Sequence, residues 1–503
     1  MALLTSSWIA LMALAPLWRT RSGETGKVRQ AGVSGGFYPA QARALAEMID
    51  GMLAEAAAAP VEGSIVAAVA PHAAYVYSGA VAACTYAALK GRAYKRVVVI
   101  APSHYAAFGF SSVYDGDAYA TPLGRVPVDK EFAQRLTRLS PEIHLGDIGH
   151  APAQQGIEHA VEVQLPWLQR TLGKEFSLVP IVMGDQRYES SRALGAALAT
   201  LAKSEKNHGQ TLVLASSDLS HYHTGREARS LDGKVLRAME GWDYFTMARN
   251  MDARLWEACG GAPIVAAMIY AERMGANHAQ VLRYAHSGEV SGDTDHVVGY
   301  SADIFVKSGQ AEDTAASFSL SAQEKTQLLD VARRSVESIV EHRQPYEPPA
   351  VEDEMLRREA GAFVTLTKHG IRRGCVGYTS AVKSLMTTVR DTATLAALRD
   401  PRFSPVTAEE LPELGYEISV LSPLRHVSDS AQIEVGRDGL LVKHHEKEGL
   451  LLPQVAVDQH WDRTRFLQET CHKAGLPADG WKDGETDVFR FTAEVFQELG
   501  TRD

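Results

Sequence analysis

Four short polar motifs in this sequence carry residue types that can hold a metal ion or move a proton. Pro71-His72 follows the apolar run 65–70, APSH ending at His104 follows 97–100, and SSDLSHYH, with Asp218, His221 and His223, follows 211–215. The fourth motif is CGGAPI at 259–264. A single histidine behind a strand is ordinarily a hydrogen-bonded structural residue. Three such strand ends in one chain are a different matter, because neutral imidazoles with a carboxylate or thiolate are ligands that iron, copper or zinc accept. Cys259 has two readings. Pro263 marks the first turn of a helix, so the thiol sits near a positive helix end that favours thiolate; alternatively it is a small buried hydrophobe.

Only a particular scaffold brings these segments together. From 28 to 307, short apolar runs (65–70, 97–100, 178–183, 211–215) alternate with amphipathic stretches, the rhythm of an α/β domain with buried strands. In a parallel sheet the carboxyl ends of the strands share one edge, where ligand crevices form. Residues 308–321, SGQAEDTAASFSLS, have the composition of a linker. A helix over 322–343 follows, opened by the capping pattern Ser321 to Glu324. Beyond it, β-rich runs at 362–366, 416–421 and 439–442 with helices between them predict an α+β second domain. The expected organisation is an N-terminal extension over 1–26, a first domain over 27–307, a linker over 308–321 and a second domain over 322–503. Each domain is expected to fold on its own.

The chain has 503 residues, 45% of them hydrophobic, and a formal net charge of −10, which offers no bulk attraction to nucleic acid or acidic lipid. Its four cysteines, Cys84, Cys259, Cys375 and Cys471, form no C-x-x-C pair, which speaks against a disulfide framework or zinc ribbon and for a reducing cytoplasm. The mostly apolar stretch 8–18 precedes Arg19 and Arg21. It reads as an extension; the alternative is an N-terminal signal or anchor, against which stand its short length and the lack of a preceding basic residue.

VSGGFYP at 33–39, APHAAYVYSG at 70–79, APSH at 101–104, IEHAVEVQLPWL at 157–168, SSDLSHY at 216–222 and CGGAPI at 259–264 together resemble the successive signatures of the Memo family. That resemblance implies a fold like the class III extradiol dioxygenases and a metal centre, iron or copper, on His72, His104 and Cys259. It places Asp218 and His221 beside the metal as acid–base groups. The dioxygenases use two histidines and a carboxylate, so a cysteine in third place gives a softer site, and ring cleavage does not follow from the fold. His159 and Glu162, three apart in a segment read as a helix start, are expected to face the pocket together. His223, His286 and His296 are expected at the surface or in loops.

GAFVTL at 361–366, RRGCVGY at 372–378, DPRFSP at 400–405, EISVLSP at 417–423, GRDGLLV at 436–442, LLPQVA at 451–456 and KAGLP at 473–477 resemble the AMMECR1 family. Arg373, Gly374 and Cys375 are the candidate site there. One reading is a concave surface in which the glycine permits close backbone approach or positive φ and the arginine binds an anion; the other is a tight turn around a buried cysteine. Asp400 between Arg399 and Arg402 reads as a salt-bridged turn. Both resemblances imply association with a radical S-adenosylmethionine protein and an unidentified small-molecule or peptide substrate. The leading expectation is a metal-dependent oxidoreductase-like module; the alternative is a non-catalytic metal- or peptide-binding scaffold.

Overall fold

The computed structural model describes residues 26–56, 61–205, 210–309, 319–350, 352–379 and 381–498. The apolar stretch 8–18 and most of the 308–321 segment lie outside them. Among the described residues no helix is long and apolar enough to cross a membrane.

Four strands rich in β-branched residues and alanine make the parallel centre of the first unit: Ser64–Ala70, Thr211–Ser216, Arg96–Pro102 and Ser177–Met183, in that spatial order. Their near-continuous apolar character follows from burial on both faces. Within Arg96–Pro102, Val97, Val99 and Ala101 point into one core and Val98 and Ile100 into the other, as the two-residue period of a strand requires. Helices Tyr75–Leu89 and Gln164–Leu172 cover the first face, with Tyr86 stacked on Trp167. Helices Tyr188–Ser204 and Gly261–Arg273 cover the second. The register pairs Ala70 with Ser216 and Ile100 with Ala215, so the three strands end at one level. Pro71-His72, Ser217-Asp218 and the His104 loop therefore emerge along one edge.

The second unit is α+β. Its strands pair antiparallel in the order Ile371–Tyr378, Ala362–Lys368, Leu414–Leu421, Asp487–Gln497, Asp438–His444 and Lys447–Leu451. Helices Ala322–Glu341 and Leu385–Leu398 pack on this sheet through Leu328, Val331, Val336, Leu385 and Val389. The capping box at the start of the first of these helices forms in both directions, Ser321 with Glu324.

The two units share a core. Along Asp487–Gln497 alternate residues face opposite ways: Val488 packs within the second unit, while Phe489 and Phe491 join Tyr244, Phe245 and Met247 of the first. The Phe489 ring stacks on Phe245 at 4.8 Å. Polar contacts complete the seam. Tyr188 and Arg192 both donate to the buried Asp487 carboxylate at 2.7 Å, and His426 lies 3.2 Å from Glu272. A strand with two apolar faces looks the same in sequence whether its second face meets its own domain or a neighbour.

Candidate metal centre

The loop after each strand is held in place by main-chain contacts. Asp218 Oδ1 accepts the backbone N–H of His72 (2.8 Å) and of Ala73 (3.3 Å), which ties two strand ends together. The Cys259 N–H donates to the Asp218 carbonyl at 3.2 Å, and the Asp218 N–H lies 3.3 Å from Cys259 Sγ. The approach is tight enough to demand glycine next in line: a Cβ on Gly260 would lie 2.4 Å from the Ser216 carbonyl oxygen.

These constraints bring His72, His104 and Cys259 together, with ligand atoms within 4.8 Å of one another. His72 Nε2 is 3.1 Å from Cys259 Sγ, and the two imidazole rings meet edge to face at 5.1 Å. Proton accounting fixes both tautomers. Ser216 Oγ accepts from Gln164 at 2.7 Å and donates its only proton to the Ala160 carbonyl at 2.7 Å, so the 3.0 Å contact with His72 Nδ1 requires Nδ1–H as donor. His104 Nδ1 donates to Glu158 at 3.0 Å. His72 thus turns an unprotonated Nε2 lone pair toward the cysteine, the form a metal ligand needs, whereas burial opposes a charge on His104 but Glu158 outweighs it and raises that ring's pKa.

Burial, followed by the like charge of His104, lowers His72 to about 3, so it stays neutral. Burial would raise Glu158, but the hydrogen bond and charge of His104 and three backbone N–H donors hold it at about 2. Burial followed by the negative charge of Asp218 pushes the Cys259 thiol up, so the helix start beyond it does not by itself yield thiolate.

Asp218 is buried, and desolvation raises its carboxyl; Oδ2 stands 4.0 Å from His72 Nε2. His221 donates Nδ1–H to the Leu219 carbonyl at 2.8 Å, which leaves Nε2 as an acceptor. It lines a cleft of about 420 Å³ together with Cys259 and Trp256. Trp256 in turn donates Nε1–H to Glu359 of the second unit at 3.0 Å, so one wall of the cleft is tethered across the seam.

His159 is in the cluster: its ring stacks on His104 at 4.9 Å and meets His72 edge-on at 5.4 Å, and its buried Nδ1 has no hydrogen-bond partner. Glu162 is not. The helix begins only at Gln164, so the spacing of three carries no common face, and Glu162 turns away to bind Arg29, the Gly32 and Val33 N–H groups and the Tyr38 hydroxyl. The carboxylate at the site is Glu158, whose position directly before His159 in IEHAVEVQ was its only sequence signal. Replacing Glu162 by Ala leaves the buried Arg29 charge unpaired and should cost about 3–5 kcal/mol in denaturant unfolding; an unchanged midpoint would refute that role. Of the remaining histidines, His223 pairs with Glu257 at 2.9 Å, while His286 is buried at a strand end rather than at the surface.

In the second unit Arg373, Gly374 and Cys375 lie on the strand Ile371–Tyr378, not in a turn, and Gly374 does not have positive φ. Gly374 permits close approach, since a Cβ would stand 2.3 Å from the Ala396 carbonyl oxygen on the covering helix. Arg373 is engaged by Glu410 through two hydrogen bonds of 2.9 and 2.8 Å rather than held open for an anion. The Cys375 N–H donates to Asp400, which Arg402 clamps at 2.6 Å in the expected salt-bridged turn.

A family model described as Memo-like protein matches residues 29–304, and one described as AMMECR1 matches 329–496. A MEMO1 family protein of Methanosarcina barkeri is 36% identical over 282 residues, 55% of this chain and 99% of that protein. A protein of Thermococcus kodakarensis is 45% identical over 181 residues, 34% of this chain and 88% of its own length. The crystal structure of an uncharacterized protein from Pyrococcus horikoshii aligns at 40% identity and a TM-score of 0.34, covering 35% of this chain and 91% of that one. The chain thus belongs to the Memo-like family and continues, after its Memo-like domain, into an AMMECR1 domain.

Proposed function

We propose that the Memo-like domain is a metal-dependent, oxidoreductase-like module that takes one iron or copper ion on His72, His104 and Cys259. The observation that carries this reading is the pairing of two imidazoles, each with Nδ1–H committed to an orienting acceptor, with a thiol inside a 4.8 Å cluster. A chance meeting of histidines has no reason to fix both tautomers. Two nitrogens and one sulfur form a soft, three-donor set that leaves coordination positions open toward the cleft. Iron or copper held there supplies one-electron chemistry and a binding position for oxygen or substrate.

The chain's own residues then have distinct tasks. Glu158 and Ser216 orient the two imidazoles. His221 presents Nε2 to the cleft as a proton acceptor, Asp218 stands beside His72 as an acid–base group, and His159 packs against both rings. The Memo-family resemblance extends this reading to a class III extradiol dioxygenase-like fold, whereas the cysteine argues for chemistry other than ring cleavage. The AMMECR1 domain serves substrate or partner recognition, with a radical S-adenosylmethionine protein as the partner that both resemblances suggest.

Metal-free full-length chain titrated with iron(II) or copper under nitrogen should bind one equivalent, and admission of air should change its absorption spectrum. Binding without an oxygen-dependent change would favour the scaffold reading, and no binding of either metal would end the proposal.

A further inference from the structure

A concavity of about 540 Å³ lies in the seam between the domains, away from the histidine cluster. Its size falls within the usual range of small-molecule pockets, which favour such boundaries. Arg237, near the end of helix Gly225–Glu240, enters it from the Memo-like side; Arg358, Arg425 and Arg490 enter from the other. In a chain of net charge −10 this concentration of guanidinium is uneven. Three acids share the lining: Asp438 is bound by Arg437 at 2.9 Å and lies 3.7 Å from Arg490, and Glu272 is bound by His426 at 3.2 Å and Tyr244 at 3.0 Å. Glu240 is the third.

Arg237 is exposed and forms no ion pair among the described residues. Across the boundary, burial and the like charge of Arg237 both disfavour the charge on Arg358. The two also border a second, smaller cavity of about 60 Å³ along the seam. An oxyanion in this cavity would meet guanidinium from both domains, and a planar guanidinium binds phosphate oxygens in bidentate fashion.

We propose that the interdomain cavity binds a small phosphorylated molecule, its phosphate bridging Arg237 of the Memo-like domain and Arg358 of the AMMECR1 domain. The enclosure by two domains suits a small molecule rather than a phosphorylated protein segment. Such a ligand would strengthen domain docking, and it does so independently of any metal.

Pyrophosphate is the probe. Calorimetric titration of the full-length chain at constant ionic strength should show saturable binding at one site, accompanied by a rise in melting temperature. Arg237→Glu should weaken binding at least tenfold and Arg237→Gln by less, while neither lowers the ligand-free melting temperature or the metal content of the protein, since Arg237 is exposed and lies outside the histidine cluster. Absence of saturable binding overturns the proposal. So does undiminished binding in Arg237→Glu.

Discussion

Phe489→Ala should lower the stability of the whole chain by about 3–5 kcal/mol, the usual cost of truncating a buried phenylalanine, and calorimetry should show one transition shifted rather than two separated. The ring is 1% exposed and stacks on Phe245 of the other domain, within a cluster that holds Phe491, Leu441 and Leu452 from one side and Val235, Met239 and Tyr244 from the other. Cutting the chain within 310–318 exposes that surface on both pieces. The AMMECR1 piece expressed alone should therefore aggregate or bind a hydrophobic dye, and mixing it with the Memo-like piece should reverse this. Two independent, unperturbed transitions in the intact chain would show that the seam does not couple the domains. The seam should also respond to pH. His426 faces Glu272, Asp487 and Arg273; burial opposes its charge, yet the two carboxylates raise its pKa above the ordinary value. A histidine raised in the folded state contributes stability fully present below its unfolded pKa of about 6.5. That contribution is lost as pH climbs through the folded value, so docking should weaken on the alkaline side of 6.5, and His426→Gln should flatten the dependence.

Strand ends were legible in the sequence because their chemistry sits directly after apolar runs. His72, His104 and Asp218 each follow a buried parallel strand, and a parallel sheet must gather such ends at one edge. Cys259 was legible through its glycine pair and Pro263. Glu158 was not, because the choice between it and Glu162 turned on where the helix begins, and a boundary displaced by a few residues moves a side chain to another face. The seam was not legible either. The pattern DVFRFTAEVF at 487–496 reports that a strand is buried on both sides without saying against what. Arg373 misled for a similar reason: a sequence shows a guanidinium beside a glycine but not Glu410, 37 residues on, that neutralises it.

Removing either imidazole should abolish tight binding of iron or copper, whereas removing the carboxylate that orients one of them should only weaken it. His72 and His104 reach the site from separate strands, and in the absence of either, one nitrogen and one sulfur remain, too few to hold a divalent ion against water. His72→Ala and His104→Ala should thus carry no stoichiometric metal by elemental analysis, and lose the rise in melting temperature that metal gives the parent by mass action. Glu158→Gln keeps a hydrogen-bond acceptor for His104 Nδ1–H but loses its charge, and affinity should fall by about 10–100-fold, the usual effect of altering a partner of a metal-bound histidine. Cys259→Ser should weaken binding and shift preference toward harder metals. Asp218 and His221 stand beside the ligands rather than among them, so Asp218→Asn and His221→Gln should reduce any turnover more than they reduce metal content. The pattern separates a metal centre from a structural histidine cluster, in which all these changes would act on stability alone. Full metal occupancy in His72→Ala would sink the assignment.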